Sequence, residues 1–273
     1  MTDAQTDARA ASARGSAANR PVLNRIVLNR IGFADLKRAF GEGAADFAKA
    51  APVDLLFGGL FAAAGWLLIA LLAVFRLPYL AYPLAMGFAL VAPFAAIAFY
   101  AGSDLIDRGE RLTLGNVANR MRKGARGDVR WMSLVTGFAL VIWMDLAAFI
   151  FFAFVGLNGF SIDFVSRLFT TPAGLIFLVV GNAAGALIAL CVFSISVISF
   201  PLLFDRETDF VTAMATSVRL VRENFLTMLV WCAIIGVAAA LSVATGFIGL
   251  LITLPVIGHA SWRLYRLAVV PQG

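Results

Sequence analysis

From Phe33 onward the chain alternates between two kinds of stretch. Over residues 33–51 apolar side chains recur at three- and four-residue steps (Phe33, Leu36, Phe40, Ala44, Phe47, Ala51), with Asp35, Lys37, Arg38, Glu42, Asp46 and Lys49 between them. That spacing predicts an amphipathic helix, and its place just ahead of an apolar run predicts that it lies on a membrane surface. Six apolar runs follow, near residues 53–75, 82–101, 131–154, 172–204, 225–244 and 246–262. Each approaches the ~20 residues that cross ~30 Å of hydrocarbon. The fourth is too long for a straight span, and Pro201 is its expected kink. No charge interrupts Leu226 to Trp262. One helix of that length would run to ~55 Å, so the break is placed at Ala244-Thr245-Gly246.

Ahead of this pattern, Met1 to about Arg20 is rich in Ala, Ser, Thr, Asp and Arg without apolar periodicity. Residues 1–32 are expected to form a disordered cytoplasmic tail, and 33–273 a single transmembrane domain. An apolar signal-peptide core is absent before Pro52, which predicts that the N-terminus stays on the side of synthesis.

Composition strengthens the membrane reading. Hydrophobic residues make up 61% of the 273, and charged ones 14%, against about 25% charged in an ordinary soluble domain. Mean hydropathy is +0.90. A soluble globule, a disordered chain and a nucleic-acid-binding domain are all excluded. The formal charge of +6 is then an orientation signal rather than a mark of a polyanion partner. With the N-terminus inside, eight Lys and Arg precede the first run, seven lie in residues 102–130, three in 205–224 and two after Trp262. The outer loops hold Arg76 and Arg167. Twenty against two predicts six spans with both termini in the cytoplasm of a bacterial inner membrane.

Three times a polar amphipathic stretch precedes a pair of runs, which predicts an all-α fold of three hairpins, each with its own cytoplasmic helix. The second stretch carries Leu114, Val117 and Met121 at helical spacing, and the third Phe210, Met214, Val218, Val221 and Phe225. At an offset of 98, Asp107-Arg108 falls on Asp205-Arg206, Leu112 on Phe210 and Gly115 on Ala213.

The C-terminal third carries a recognisable pattern: Asp205-Arg206 through Ser217, Asn224 and Trp231, then Leu254-Pro255-Val256-Ile257-Gly258-His259-Ala260-Ser261-Trp262 and Tyr265-Arg266. From about Arg30 to its end the chain resembles a bacterial family of uncharacterised integral membrane proteins often labelled "cytochrome c oxidase subunit I-like". The resemblance implies fold and location but no mechanism. A haem-copper core needs several histidines, and this chain has one, His259. It is not a catalytic haem-copper subunit, while association with such a complex stays open.

Few residues suit chemistry. Asp145 lies inside the third run, where a carboxylate costs roughly 2.5–3.5 kcal/mol to insert and should face protein or water. Asn182 lies at matching depth in the fourth run, and Gly181 and Gly185 beside it would permit close approach. The pair reads as a structural clamp or as a proton or cation site. His259, Trp262, Tyr265 and Arg266 read as an interfacial aromatic-basic cluster. Arg120, Arg122 and Lys123 are candidates for anionic lipid head groups, at about 1 kcal/mol each. Cys191 and Cys232 lie in apolar runs and support no disulfide framework. Hydrolase, zincin and Walker motifs are absent, and no metal or other cofactor is expected. The expected function is non-enzymatic: an accessory, assembly or organising component of a membrane complex, a respiratory one included. Its partners would be lipids and other membrane proteins, itself included, and no nucleic acid. The alternative is a small proton- or cation-coupled transporter or channel using Asp145.

Overall fold

A computed structural model describes residues 26–77, 80–81, 83–85, 95–124, 127–156 and 162–270, with the side chains of 162–165 excepted. Ten helices are named among them: α1 Phe33–Val74, α2 Ile97–Asp107, α3 Leu114–Gly124, α4 Val129–Val155, α5 Ile162–Thr170, α6 Pro172–Ser196, α7 Ser199–Asp205, α8 Phe210–Glu223, α9 Phe225–Ala244 and α10 Leu250–Ala268. The fold is all-helical, as expected. Four stretches are long and apolar enough to cross a membrane: α1, α4, α6 with α7, and α9. Much of the second apolar run, residues 82 and 86–94, lies outside the described residues.

The expected surface helix and first span are one 42-residue helix, α1, which passes through Pro52 without ending. At 1.5 Å per residue it is about 63 Å long. Its buried side shares Leu36 with the apolar pattern and otherwise runs along a different stripe. Phe33 and Phe40 are exposed, whereas Leu36, Ala39, Gly43, Asp46, Ala50, Asp54, Gly58, Ala62 and Gly65 face inward at steps of three and four. Close approach explains the choice. A Cβ on Gly43 would lie 2.5 Å from Ala260 N, one on Gly58 2.9 Å from Leu251 Cα, and one on Gly65 2.8 Å from the Phe247 ring. Small residues let α1 and α10 pack along one another, and large ones would hold them apart.

Other boundaries follow local chemistry. Residues 197–198 interrupt the helix between α6 and α7. Pro201 removes the N–H that would bond Val197 O and its ring crowds that carbonyl, so the break falls four residues before the proline. Between α9 and α10 the chain turns at residues 245–249, with Gly246 at φ +61° and Phe247 at φ +64°. The turn falls where the sequence reading split the long apolar stretch. The nine-residue α5, which carries Arg167, is an element that the apolar pattern does not mark.

Residues 26–32, expected within the tail, are instead tied down; residues 1–25 lie outside the description. Leu28 bridges Val269, Asn29 N donates to Ala268 O at 2.9 Å and Val270 N donates to Val27 O at 3.1 Å. Arg219 donates to Ile26 O, and Ile31 N donates to Asn224 Oδ1 at 2.8 Å. Ile26 and Ile31 are buried, which offsets the entropy of ordering the segment.

Candidate functional site

A group of buried ionisable residues converges where α1, α2 and α10 meet. On α1, Asp46 and Asp54 both fall in the small-residue seam. On α2, Gly102 makes room for an imidazole, since a Cβ there would lie 3.1 Å from His259 Cε1. On α10, Gly258 packs against Phe99 and Ala260 against Gly43, so the backbone carrying His259 sits close to both neighbours.

A continuous chain of polar contacts results. His259 Nε2 lies 2.8 Å from Asp54 Oδ2, and Nδ1 lies 2.7 Å from Ser103 Oγ. Ser103 donates to Asp46 Oδ2 at 2.8 Å, and Arg263 Nε donates to the same oxygen at 2.7 Å. Arg263 Nη1 then donates to Asp107 Oδ1 at 2.6 Å, towards solvent. Asp46 is 3% exposed, Asp54 2%, and Ser103 and His259 0%. Buried charges persist only when paired and hydrogen-bonded, and each of these is. The order Asp54–His259–Ser103 resembles a hydrolytic triad in connectivity. Here, however, the serine proton is directed to Asp46 and the hydroxyl has no access to a substrate. The geometry joins three helices.

Below this chain α10 reads both members of the internal repeat. The helices α2 and α7 end on Asp107 and Asp205. Trp262 Nε1 and Arg263 reach Asp107 at 3.4 and 2.6 Å. Tyr265 OH donates to Asp205 Oδ2 at 2.6 Å, with Arg266 Nη1 3.8 Å from that oxygen. The offset of 98 therefore has a structural counterpart: two Asp-Arg helix ends, each held by an aromatic-arginine pair from one helix. Trp262 also stacks on Tyr100 and packs edge-on to Phe204. The expected interfacial cluster is thus corrected. His259, Trp262 and Tyr265 are core residues, and Arg266 keeps about half its side chain exposed.

The remaining candidates lie elsewhere. Asp145 is exposed on α4, and Asn182 is exposed on α6, with Nδ2 donating to Leu178 O at 2.8 Å. No described hydrogen bond joins the two side chains. Asn182 lines an apolar cleft of about 720 Å³ between α4, α6 and α9, bordered by Trp143, Gly185, Cys232 and Gly236. Arg120 is largely withdrawn from head groups. It donates to Asp104 Oδ2 at 2.5 Å and lies 4.1 Å over the Phe204 ring, while Arg122 and Lys123 are exposed.

Sequence reasoning missed Asp46, Asp54 and Ser103. Asp46 looked solvent-facing among the charges of an amphipathic stretch, and Ser103 fell just past an apolar run. Asp54 did give a signal, because it is an acid two residues past Pro52 at the head of a span. Among the described residues no three His, Cys, Asp or Glu side chains group as a metal-ligand set.

No curated protein and no solved structure matches the chain. The haem-copper label finds no support in these comparisons, and most of the C-terminal pattern lies beyond the stretch that a family model recognises. That stretch does agree with the resemblance to an uncharacterised membrane family: residues 81–205 match the family described as "Predicted integral membrane protein (DUF2189)", and the chain is an integral membrane protein with several apolar helices.

Proposed function

We propose that the chain is a non-enzymatic, six-span component of the bacterial inner membrane, with both termini cytoplasmic, that organises or assembles other membrane proteins. One contrast supports this reading. The buried side chains of Asp46, Asp54, Ser103 and His259 are engaged with one another, while the outer faces of α4, α6 and α9 present Phe138, Phe149, Val179, Leu187, Val237 and Leu241, and Asp145 stands exposed on α4. A carboxylate on an apolar membrane face calls for a partner from outside the chain. A respiratory complex is the first to examine, following the family label.

The test is site-specific photo-crosslinking in native membranes from Ile142 and Phe149, which flank Asp145 on exposed turns of α4. Crosslinks to a defined membrane protein, weakened by Asp145→Leu, are expected. Adducts to lipid alone would overturn the proposal. Saturable solute uptake in proteoliposomes, lost in Asp145→Ala without loss of fold, would favour the proton- or cation-coupled transporter instead.

A further inference from the structure

Hydrogen-bond direction places the protons in the chain from Asp54 to Asp107. A guanidinium is always charged and donates only. Arg263 Nε donates to Asp46 Oδ2 at 2.7 Å, so that oxygen is an acceptor. The same oxygen takes the Ser103 proton at 2.8 Å, and a hydroxyl has no second proton to give. Ser103 Oγ therefore meets His259 Nδ1, 2.7 Å away, as an acceptor, and Nδ1 carries hydrogen. The other ring nitrogen lies 2.8 Å from Asp54 Oδ2. Two bare lone pairs at that distance, with no water to separate them, repel and leave two buried acceptors unmet. A proton has to lie between them.

We infer that Asp54 and His259 form a proton-binding site that closes the seam between α1 and α10. Its ligand is one proton shared between carboxylate and imidazole, and loss of that proton loosens the two helices. Charged groups face the ring from each helix packed against it. Asp46 and Asp54 face the ring from α1, Asp107 stands behind Arg263 on α2, and Arg263 comes from α10 itself. Asp104, also on α2, is engaged by Arg108 and Arg120. The seam is closed while the proton is bound and loosens as pH rises.

His259 is the single histidine of the chain, so ¹⁵N-histidine labelling of the full chain in lipid nanodiscs reports this ring alone. At neutral pH the Nε2 resonance should be that of a hydrogen-bonded, proton-sharing nitrogen. On raising the pH it should move to that of a bare nitrogen, together with a loss of α10 amide protection beyond the base-catalysed rise shared by all amides. Asp54→Asn places an amide N–H against Nε2 without an added proton and should remove both changes. A bare Nε2 in the wild type at neutral pH would overturn the inference, whether or not the variant folds. So would an equal rise of α10 exchange with pH in wild type and Asp54→Asn.

Discussion

His259 Nε2 lies 2.8 Å from Asp54 Oδ2, although 205 residues separate the two in sequence. The contact joins α1 to α10 at a point where both side chains are withdrawn from solvent. It is one link in a chain that also takes in Ser103, Asp46, Arg263 and Asp107. Each link connects different helices, so the chain acts as a set of cross-ties within the bundle.

Removing one partner of such a buried pair costs about 3–5 kcal/mol, because the other is left without compensation. Asp54→Leu should therefore lower stability by that order, and Asp54→Asn by less, since its amide still reaches the ring. Asp145→Leu should not destabilise, because it removes a carboxylate from an exposed apolar face and leaves no buried partner behind. Thermal unfolding of the three variants in one detergent checks the ranking.

The seam between α1 and α10 makes a sharper steric prediction. A Cβ at Gly43 would lie 2.5 Å from Ala260 N, a backbone atom that cannot rotate away. Gly43→Ala should destabilise by about 1–3 kcal/mol through overpacking. Gly41 is two residues away with nothing within 4 Å of its Cβ position, so Gly41→Ala should stabilise by up to about 1 kcal/mol through helix propensity. Unfolding curves of the two variants should shift in opposite directions.

These glycines show what the sequence made legible. The apolar runs are visible because a long uncharged stretch has few alternatives to a helix. The end of α9 at Ala244 is visible because Gly246 supplies the positive φ of the turn. The site was less legible, for two physical reasons. Apolar periodicity marks the side of α1 with Phe33 and Phe40, expected on the membrane surface, and is silent on the protein-facing side. There close helix contact selects Ala39 and Gly43 and turns Asp46 inward with them. Pairing over long sequence separations also leaves no local mark, so the tie of Arg120 to Asp104 reads as part of a basic patch. His259 was visible as unusual, but its surroundings were not.

The helix α8 allows a test of pH dependence outside the membrane spans. Asp209 caps it by accepting from Thr212 N at 2.8 Å. Hydrogen bonding from Thr212, through its side chain and then its backbone N–H, holds the Asp209 carboxyl below the usual carboxylate range. A lowered value means stabilisation that is fully present above the ordinary carboxylate range and lost as pH falls through the folded-state value. Asp209→Ala should loosen α8 by about 1 kcal/mol at neutral pH. The difference from wild type should vanish in acid, as read by amide exchange in the first turn.

Topology is checked with single cysteines in a Cys191→Ala/Cys232→Ala background. Ser166→Cys on α5 and Gly115→Cys on α3 are both exposed positions. The charge asymmetry predicts that the first labels from the periplasm and the second from the cytoplasm. Labelling of both from one side would reverse the assignment of the loops.

The buried polar residues tie the bundle together, and the proposed function belongs to its outer faces. The most direct measurement is the particle mass of the protein extracted with its surrounding lipid into native nanodiscs, for wild type and Asp145→Leu. An assembly larger than one chain in the wild type is predicted, reduced in Asp145→Leu at unchanged thermal stability. A wild type that is monodisperse at one chain per disc, with no second protein present, would contradict it.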